Sequence, residues 1–311
     1  MAIAFPRSSP STTGRSSEGP ISLEEMLVKA ADIAHYKVHM LRTRPGAFLL
    51  HAIAGGVMVA FGATLALAVS TGIGSPGLAN LVMGAVFGFS LVIIMVSGMS
   101  LITADMALGI IGVFHQRFAL RTYLAFVAVG YVGNAIGSFF FMFMVSLAKG
   151  PYALTPFLLR AHAIAAAKTG MPDLSIFLLG ILCTWFLQTA MFLYLKARSE
   201  GAKMILAYYG PLAFVAGMTE HAIANIGFIA LPILMQGTFT HVTHVPLTAT
   251  GLTAHLSWGF ARYGWAHDQL FTLMGNFVGG VLFGATAFQL MADPQRIGLL
   301  YRMTATQRRF R

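Results

Sequence analysis

The residues with the most chemistry to offer lie in apolar surroundings. Glu220 and His221 belong to the stretch Gly217-Met218-Thr219-Glu220-His221-Ala222-Ile223-Ala224-Asn225, with apolar sequence on both sides. A charge at the centre of a bilayer costs at least ~2.5–3.5 kcal/mol, so ionisable residues placed there are as a rule paired and functional. An imidazole titrates near pH ~6.5 and holds or donates a proton at ordinary pH. In a dry constriction such a donor stabilises an anion and then releases it, where a permanent cation would retain it. The alternative is structural: Glu220 and Asn225 tie a helix break together and His221 fills space. Glu220 is read first in that structural role, His221 in the functional one.

A second stretch has the same character: Gly98-Met99-Ser100-Leu101-Ile102-Thr103-Ala104-Asp105. Thr103 offers a hydroxyl at a break, or bonds back to a helix carbonyl. Asp105 reads as a cap on the following helix segment. Lys168 falls among alanines in a loop; a basic residue at a pore mouth raises the local anion concentration, and a solvated loop lysine is the plainer reading. Leu91 lies seven residues before Gly98, and Phe214 seven before His221. Seven residues is close to two helical turns, so each apolar side chain sits over its break on one face, as a constriction or as core.

The elements that position these residues are transmembrane helices. Of the 311 residues, 57% are hydrophobic and 10% charged. Soluble domains run near ~25% charged, so this chain cannot clothe a water-facing surface and soluble enzyme classes fall away. The net charge of +10 resides in short segments between apolar runs, where it reports topology rather than nucleic-acid binding. The single cysteine, Cys183, excludes an internal disulfide and a multi-cysteine zinc site. No Walker motif points to an ATP-driven pump, and the histidines of the loop 241–267 lack ligand spacing, so no cofactor or metal is expected.

No Asp, Glu, Lys or Arg occurs from Pro45 to Ala104, a span too long for one helix and divided by Gly74, Pro76 and Gly77. The expected helices cover about 47–71, from 79 onward, 122–148, 174–195, from 204 onward, and 270–291. Residues 21–44 read as an amphipathic cytoplasmic helix beginning at Ser22, residues 1–20 as a disordered cytoplasmic tail, 45–292 as the six-helix domain and 293–311 as a basic cytoplasmic tail. Lys and Arg in the alternate loops place both termini on the cytoplasmic side; the membrane expected is a bacterial inner membrane. Ser97-Gly98-Met99-Ser100 matches Ala216-Gly217-Met218-Thr219, and Gly133-Asn134-Ala135-Ile136-Gly137 matches Gly275-Asn276-Phe277-Val278-Gly279. Helices two and five therefore correspond, as do three and six. Three helices per half require inverted halves, and paired interrupted helices in inverted halves mark a transport site near the midplane.

Glu220-His221-Ala222-Ile223-Ala224-Asn225 resembles the Glu-His-Ser-Ile-Ala-Asn motif of the formate/nitrite transporter family. The resemblance extends from about Ile21 to Met291 and is nearest the nitrite branch, whose segments Leu81-Val82-Met83-Gly84-Ala85 and Arg198-Ser199-Glu200-Gly201-Ala202-Lys203 resemble. It implies an all-α, aquaporin-like fold assembled as a homopentamer with one pore per protomer, and proton-linked passage of small weak-acid anions. It places the pore histidine at His221 beside Glu220 and Asn225, the loop threonine at Thr103, the vestibule lysine at Lys168, and constrictions at Leu91, Phe87 and Phe214. The chain departs from the family pattern at Ile102, where a Phe is usual, at Ser100, where an acid is usual, and at Thr184, where helix four usually has Asn. The expected function is transport of nitrite, with formate or hydrosulfide as alternative cargo. A membrane anchor subunit of a redox enzyme is the reading from another class.

Overall fold

The computed structural model describes residues 19–297; nearly all of the tails expected at 1–20 and 293–311 lies outside them. The described residues form helices joined by loops, with two isolated β-bridges in the loop before the last span. Helix α1 (Leu23–Thr43) opens with the Ser22 cap expected from sequence: the Ser22 hydroxyl accepts from the Glu25 N–H, and the Glu25 carboxylate accepts from the Ser22 N–H. Its stripe of Met26, Leu27, Ala30, Ala31, Ala34 and Val38 is buried, and the helix packs on α4 of the same chain.

Helices α2 (Pro45–Ser70), α3 (Pro76–Ser97), α4 (Ile102–Phe114) and α5 (Leu120–Ala148) form the first half. Helix α6 (Thr155–Thr169) follows and carries Lys168 in its last turn, where a loop was expected. The second half is α7 (Asp173–Lys196), α8 (Glu200–Ala216), α9 (Ala222–Leu234) and α11 (Trp265–Val278), with α10 (Gln236–Thr243) bent 57° away from α9. Helix α11 continues through a π-helical segment (Gly279–Thr286) into α12 (Ala287–Ala292). It starts five residues before the position the sequence suggested, because its first turn is polar. Among the described residues, α2, α3, α5, α7 and α11 with its continuation are long and apolar enough to cross ~30 Å of hydrocarbon. Helix α8 has 17 residues and takes the place that α3 holds in the first half.

The halves pack in the same way. Helix α2 lies against α5 and α3, α7 against α11 and α8, and α3 meets α8 across the centre. Large apolar side chains such as Leu50, Phe61, Phe89, Phe140, Phe143, Leu178 and Phe186 point outward, as a surface facing lipid or a neighbouring copy requires.

Candidate functional site

Two breaks face each other at the centre, between α3 and α4 and between α8 and α9. At the first, Gly98 ends α3 in the left-handed region (φ +73°), which glycine adopts without strain. At the second, Met218 takes φ +54°. Each break is fastened by an asparagine from a neighbouring helix. The Asn134 amide donates to the carbonyls of Ala52 (2.7 Å) and Ser100 (2.9 Å), and its oxygen accepts from the Ile102 N–H (2.8 Å). The Asn276 amide donates to Gly180 (2.9 Å) and Glu220 (2.8 Å), and accepts from the Ala222 N–H (2.8 Å). The backbone repeats the correspondence: the Ser100 N–H reaches the His51 carbonyl, and the Glu220 N–H the Leu179 carbonyl, each at 3.3 Å. Residue 55 must be glycine, because a Cβ there would stand 2.2 Å from the Ser100 carbonyl oxygen.

The two breaks bring Thr103 and His221 together. Thr103 Oγ1 lies 2.9 Å from His221 Nε2, and both residues are buried. His221 is also the N-cap of α9, its Nδ1 accepting from the Ala224 N–H at 3.1 Å. That bond fixes the tautomer of the neutral ring: Nδ1 holds the lone pair and Nε2 the hydrogen, which is donated to Thr103. A second proton can enter only at Nδ1, and only if the cap is released. Gln188 of α7 donates through Nε2 to the Thr103 carbonyl and holds the start of α4.

On one side of His221 a narrow apolar cavity is lined by Leu91, Ile94 and Leu101 from the first half and Pro211, Phe214 and His221 from the second, in positions equivalent under the repeat. Phe87 closes it further. The Phe214 ring stacks on His221 at 5.1 Å and 9°, and Phe87 contacts Phe214 at 5.7 Å and Phe228 at 6.3 Å. Leu91 and Phe214, read as constrictions on either side of the site, line this one cavity together with Phe87. Ile102 is fully buried in the first half, its side chain directed toward Gly130 of α5, and does not line this cavity. Thr184 is bonded back to the Gly180 carbonyl (2.9 Å) where the π-helical segment approaches α7, its hydroxyl oxygen 2.8 Å from a Cβ built at Gly279.

Lys168 Nζ sits 2.8 Å from Glu220 Oε2 and 5.6 Å from the centre of the Phe228 ring, which in turn contacts Phe87 of the apolar cavity. Its side chain is 16% exposed and that of Glu220 is 2% exposed, so this is an embedded ion pair and not a solvated lysine at a mouth. Asn225 donates to Glu220 at 2.6 Å and to Asp268 at 3.1 Å. The first half carries the counterpart. Asp105 accepts from Ser100 and pairs with Lys37 of α1 at 2.7 Å, so it is a buried charge with a partner rather than a helix cap. The acid and its neutral companion have exchanged places between the halves: Ser100 with Asp105 in one, Glu220 with Asn225 in the other.

Sequence reasoning singled out His221, Glu220, Asn225, Thr103 and Lys168, and the fold joins them into one connected group. It passed over three residues. Gln188 is an uncharged amide in an apolar helix, the signal that could have found it. Lys37 belongs to a helix read as peripheral. Asp268 falls in the polar first turn of α11, which was read as loop.

The arrangement offers a buried hydrogen-bond donor at an apolar constriction, with an embedded lysine nearby. The comparisons agree with transport and not with catalysis. The chain is 29% identical over 210 residues to the nitrite transporter NirC of Salmonella typhimurium, covering 67% of this chain and 70% of that protein. It is 25% identical over 267 residues to a probable formate transporter of Methanothermobacter thermautotrophicus, covering 78% and 88%. Among solved structures, one described as an FNT family ion channel superposes with a TM-score of 0.73 at 24% identity, over 87% of this chain and 100% of the other. A pentameric formate channel with formate bound gives 0.67 at 22% identity, over 80% and 98%. The profile of the formate/nitrite transporter family matches residues 24–290, and the chain belongs to that family of membrane transporters.

Proposed function

We propose that each protomer passes a small monovalent anion, nitrite foremost, along the path from Lys168 past Phe228, Phe87 and Phe214 to His221 and Thr103. The observation that carries this reading is the 2.9 Å contact of His221 Nε2 with Thr103 Oγ1 at the meeting point of the two breaks. There an N–H donor is held in a buried, largely apolar environment, where a hydrogen bond to an anion is strong and needs no reorganisation. Lys168, already neutralised by Glu220, attracts an anion without trapping it. Transport linked to protons requires His221 either to give up its Nε2 hydrogen to the cargo or to accept one at Nδ1 by releasing the α9 cap. Assembly as a homopentamer in a bacterial inner membrane, with both termini in the cytoplasm, completes the reading. It is supported by the apolar outer face of the helices and by the pentameric state of the formate channel that the chain resembles in fold.

Formate and hydrosulfide share the charge and size that the site selects, and a relative described as a probable formate transporter covers more of the chain than the nitrite transporters do. The test is uptake by the purified protein in proteoliposomes, with nitrite, formate, hydrosulfide and nitrate in competition at several pH values. Nitrite is expected to compete best, and His221→Asn to abolish proton-coupled uptake. Unchanged flux and pH dependence in that variant would overturn the role of His221. Absence of flux from the purified protein alone would favour an anchor subunit.

A further inference from the structure

The group around Lys168 contains one more carboxylate than it has cations. Asn225 Nδ2 stands between Glu220 Oε2 (2.6 Å) and both oxygens of Asp268 (3.1 Å each), so a single nitrogen separates the two acids. That nitrogen has two hydrogens for three carboxylate oxygens. Asp268 is fully buried and Glu220 nearly so. Lys168 of α6 contacts Glu220, and among the described residues no other cationic side chain is bonded to either acid. The remaining titratable groups around them are neutral in their ordinary state. They are Tyr131 of α5, which donates to Gln269, and Cys183 of α7, buried near Glu220. His267, adjacent in sequence, turns to Asp173 of α7 (3.0 Å), and His221 is occupied by Thr103 and the α9 cap. The first turn of α11 offers Asp268 only the partial positive charge of a helix end, against a full negative charge on Glu220. In the same cluster, Asn225 Oδ1 is buried and has no hydrogen-bond partner among the described residues.

A buried carboxylate without a cation is far more costly than a protonated one, and two acids within reach of one donor hold a proton between them. We propose that Asp268 carries an exchangeable proton in the resting protein, making the Lys168–Glu220–Asn225–Asp268 group electrically neutral, and that loss of this proton slows anion entry. The inference rests on the anion-transport reading. The proton is bound at an Asp268 carboxylate oxygen; when it leaves, one negative charge is added beside Lys168, and the attraction for an anion falls. The sign follows: the group favours uptake at low pH and opposes it once the shared proton is lost.

The test combines infrared spectroscopy with uptake by the full-length protein. At neutral pH the wild type is expected to show the carbonyl stretch of a protonated carboxyl in a dry environment, and to lose it on titration to alkaline pH. Asp268→Asn, which keeps the size of the side chain, should lack the band. Glu220→Gln should lack it too, because Lys168 then balances a single carboxylate. The ratio of wild-type to D268N uptake should be level at low pH and fall at higher pH, by at most ~10-fold per pH unit for a single proton. A wild type without the band, a band that survives in D268N or E220Q, or an uptake ratio that is flat across pH overturns the proposal. If the wild type passes no anion, the transport reading fails, while the infrared series still decides where the proton sits.

Discussion

His221 performs two jobs with two nitrogens. Nδ1 caps α9 and Nε2 faces Thr103. Replacing Thr103 with Val keeps the shape and removes the acceptor of the Nε2 hydrogen. Leaving a buried donor unpaired costs about 1–3 kcal/mol, so T103V should unfold at lower temperature in detergent while Thr103→Ser stays near the wild type. Equal melting of all three proteins would show that the contact contributes nothing. At this scale the sequence was informative about type and poor about partners. Glu220 and His221 stood out because charge inside an apolar run is expensive. That Glu220 meets Lys168, 52 residues away, depends on α6, an alanine-rich segment whose helix propensity was there to be read and which was expected as a loop. Asp268 was hidden for a different reason: a polar first turn at the start of a spanning helix looks like loop.

The breaks in α3–α4 and α8–α9 were legible because each carries a Gly-Met pair within apolar sequence, repeated in the other half. How they are held open was not. The Gly-Asn motifs of α5 and α11 announced the repeat, and only the fold shows that Asn134 and Asn276 supply hydrogen bonds to the backbone groups freed at the breaks and tie them to α2 and α7. Substituting Asn134 with Ala leaves the Ile102 N–H and the Ser100 carbonyl without partners, at about 1–3 kcal/mol for each group. N134A should therefore give little folded protein on size-exclusion chromatography, and a profile matching the wild type would contradict the account. The loop that follows α10 is secured by His162 of α6, which donates from Nε2 to the Ala254 carbonyl at 2.8 Å and stacks on Phe239 at 4.4 Å. Burial is the largest influence on this imidazole and lowers its pKa, with the bond to Ala254 opposing and His255 adding a smaller decrease. Because the unfolded chain takes up the proton first, the contribution is complete above pH ~6.5 and declines as pH falls below it, by no more than ~1.4 kcal/mol per unit. The melting temperature should drop between about pH 6.5 and 5.5, and His162→Phe should flatten that part of the curve. An unchanged slope in H162F would assign the acid sensitivity elsewhere.

At the scale of the whole molecule, composition and the internal repeat were enough to give an all-helical membrane protein in inverted halves. The helix count was less direct, since α8 is shorter than a full crossing and α9 bends sharply into α10. The two halves are equivalent in their asparagines and their backbone contacts, and differ in where the acid stands. In one half it follows the break, as Asp105 beside Ser100; in the other it precedes the helix, as Glu220 with Asn225 behind it. Each arrangement serves one lysine, Lys37 or Lys168. Inheritance is therefore constrained in pairs. A lineage carrying this sequence can move the first acid from position 105 to position 100 only if both positions change together, since the loss of Asp105 alone strands Lys37 and a second acid at 100 crowds the first. Among relatives, positions 100 and 105 are therefore expected to vary as a linked couple.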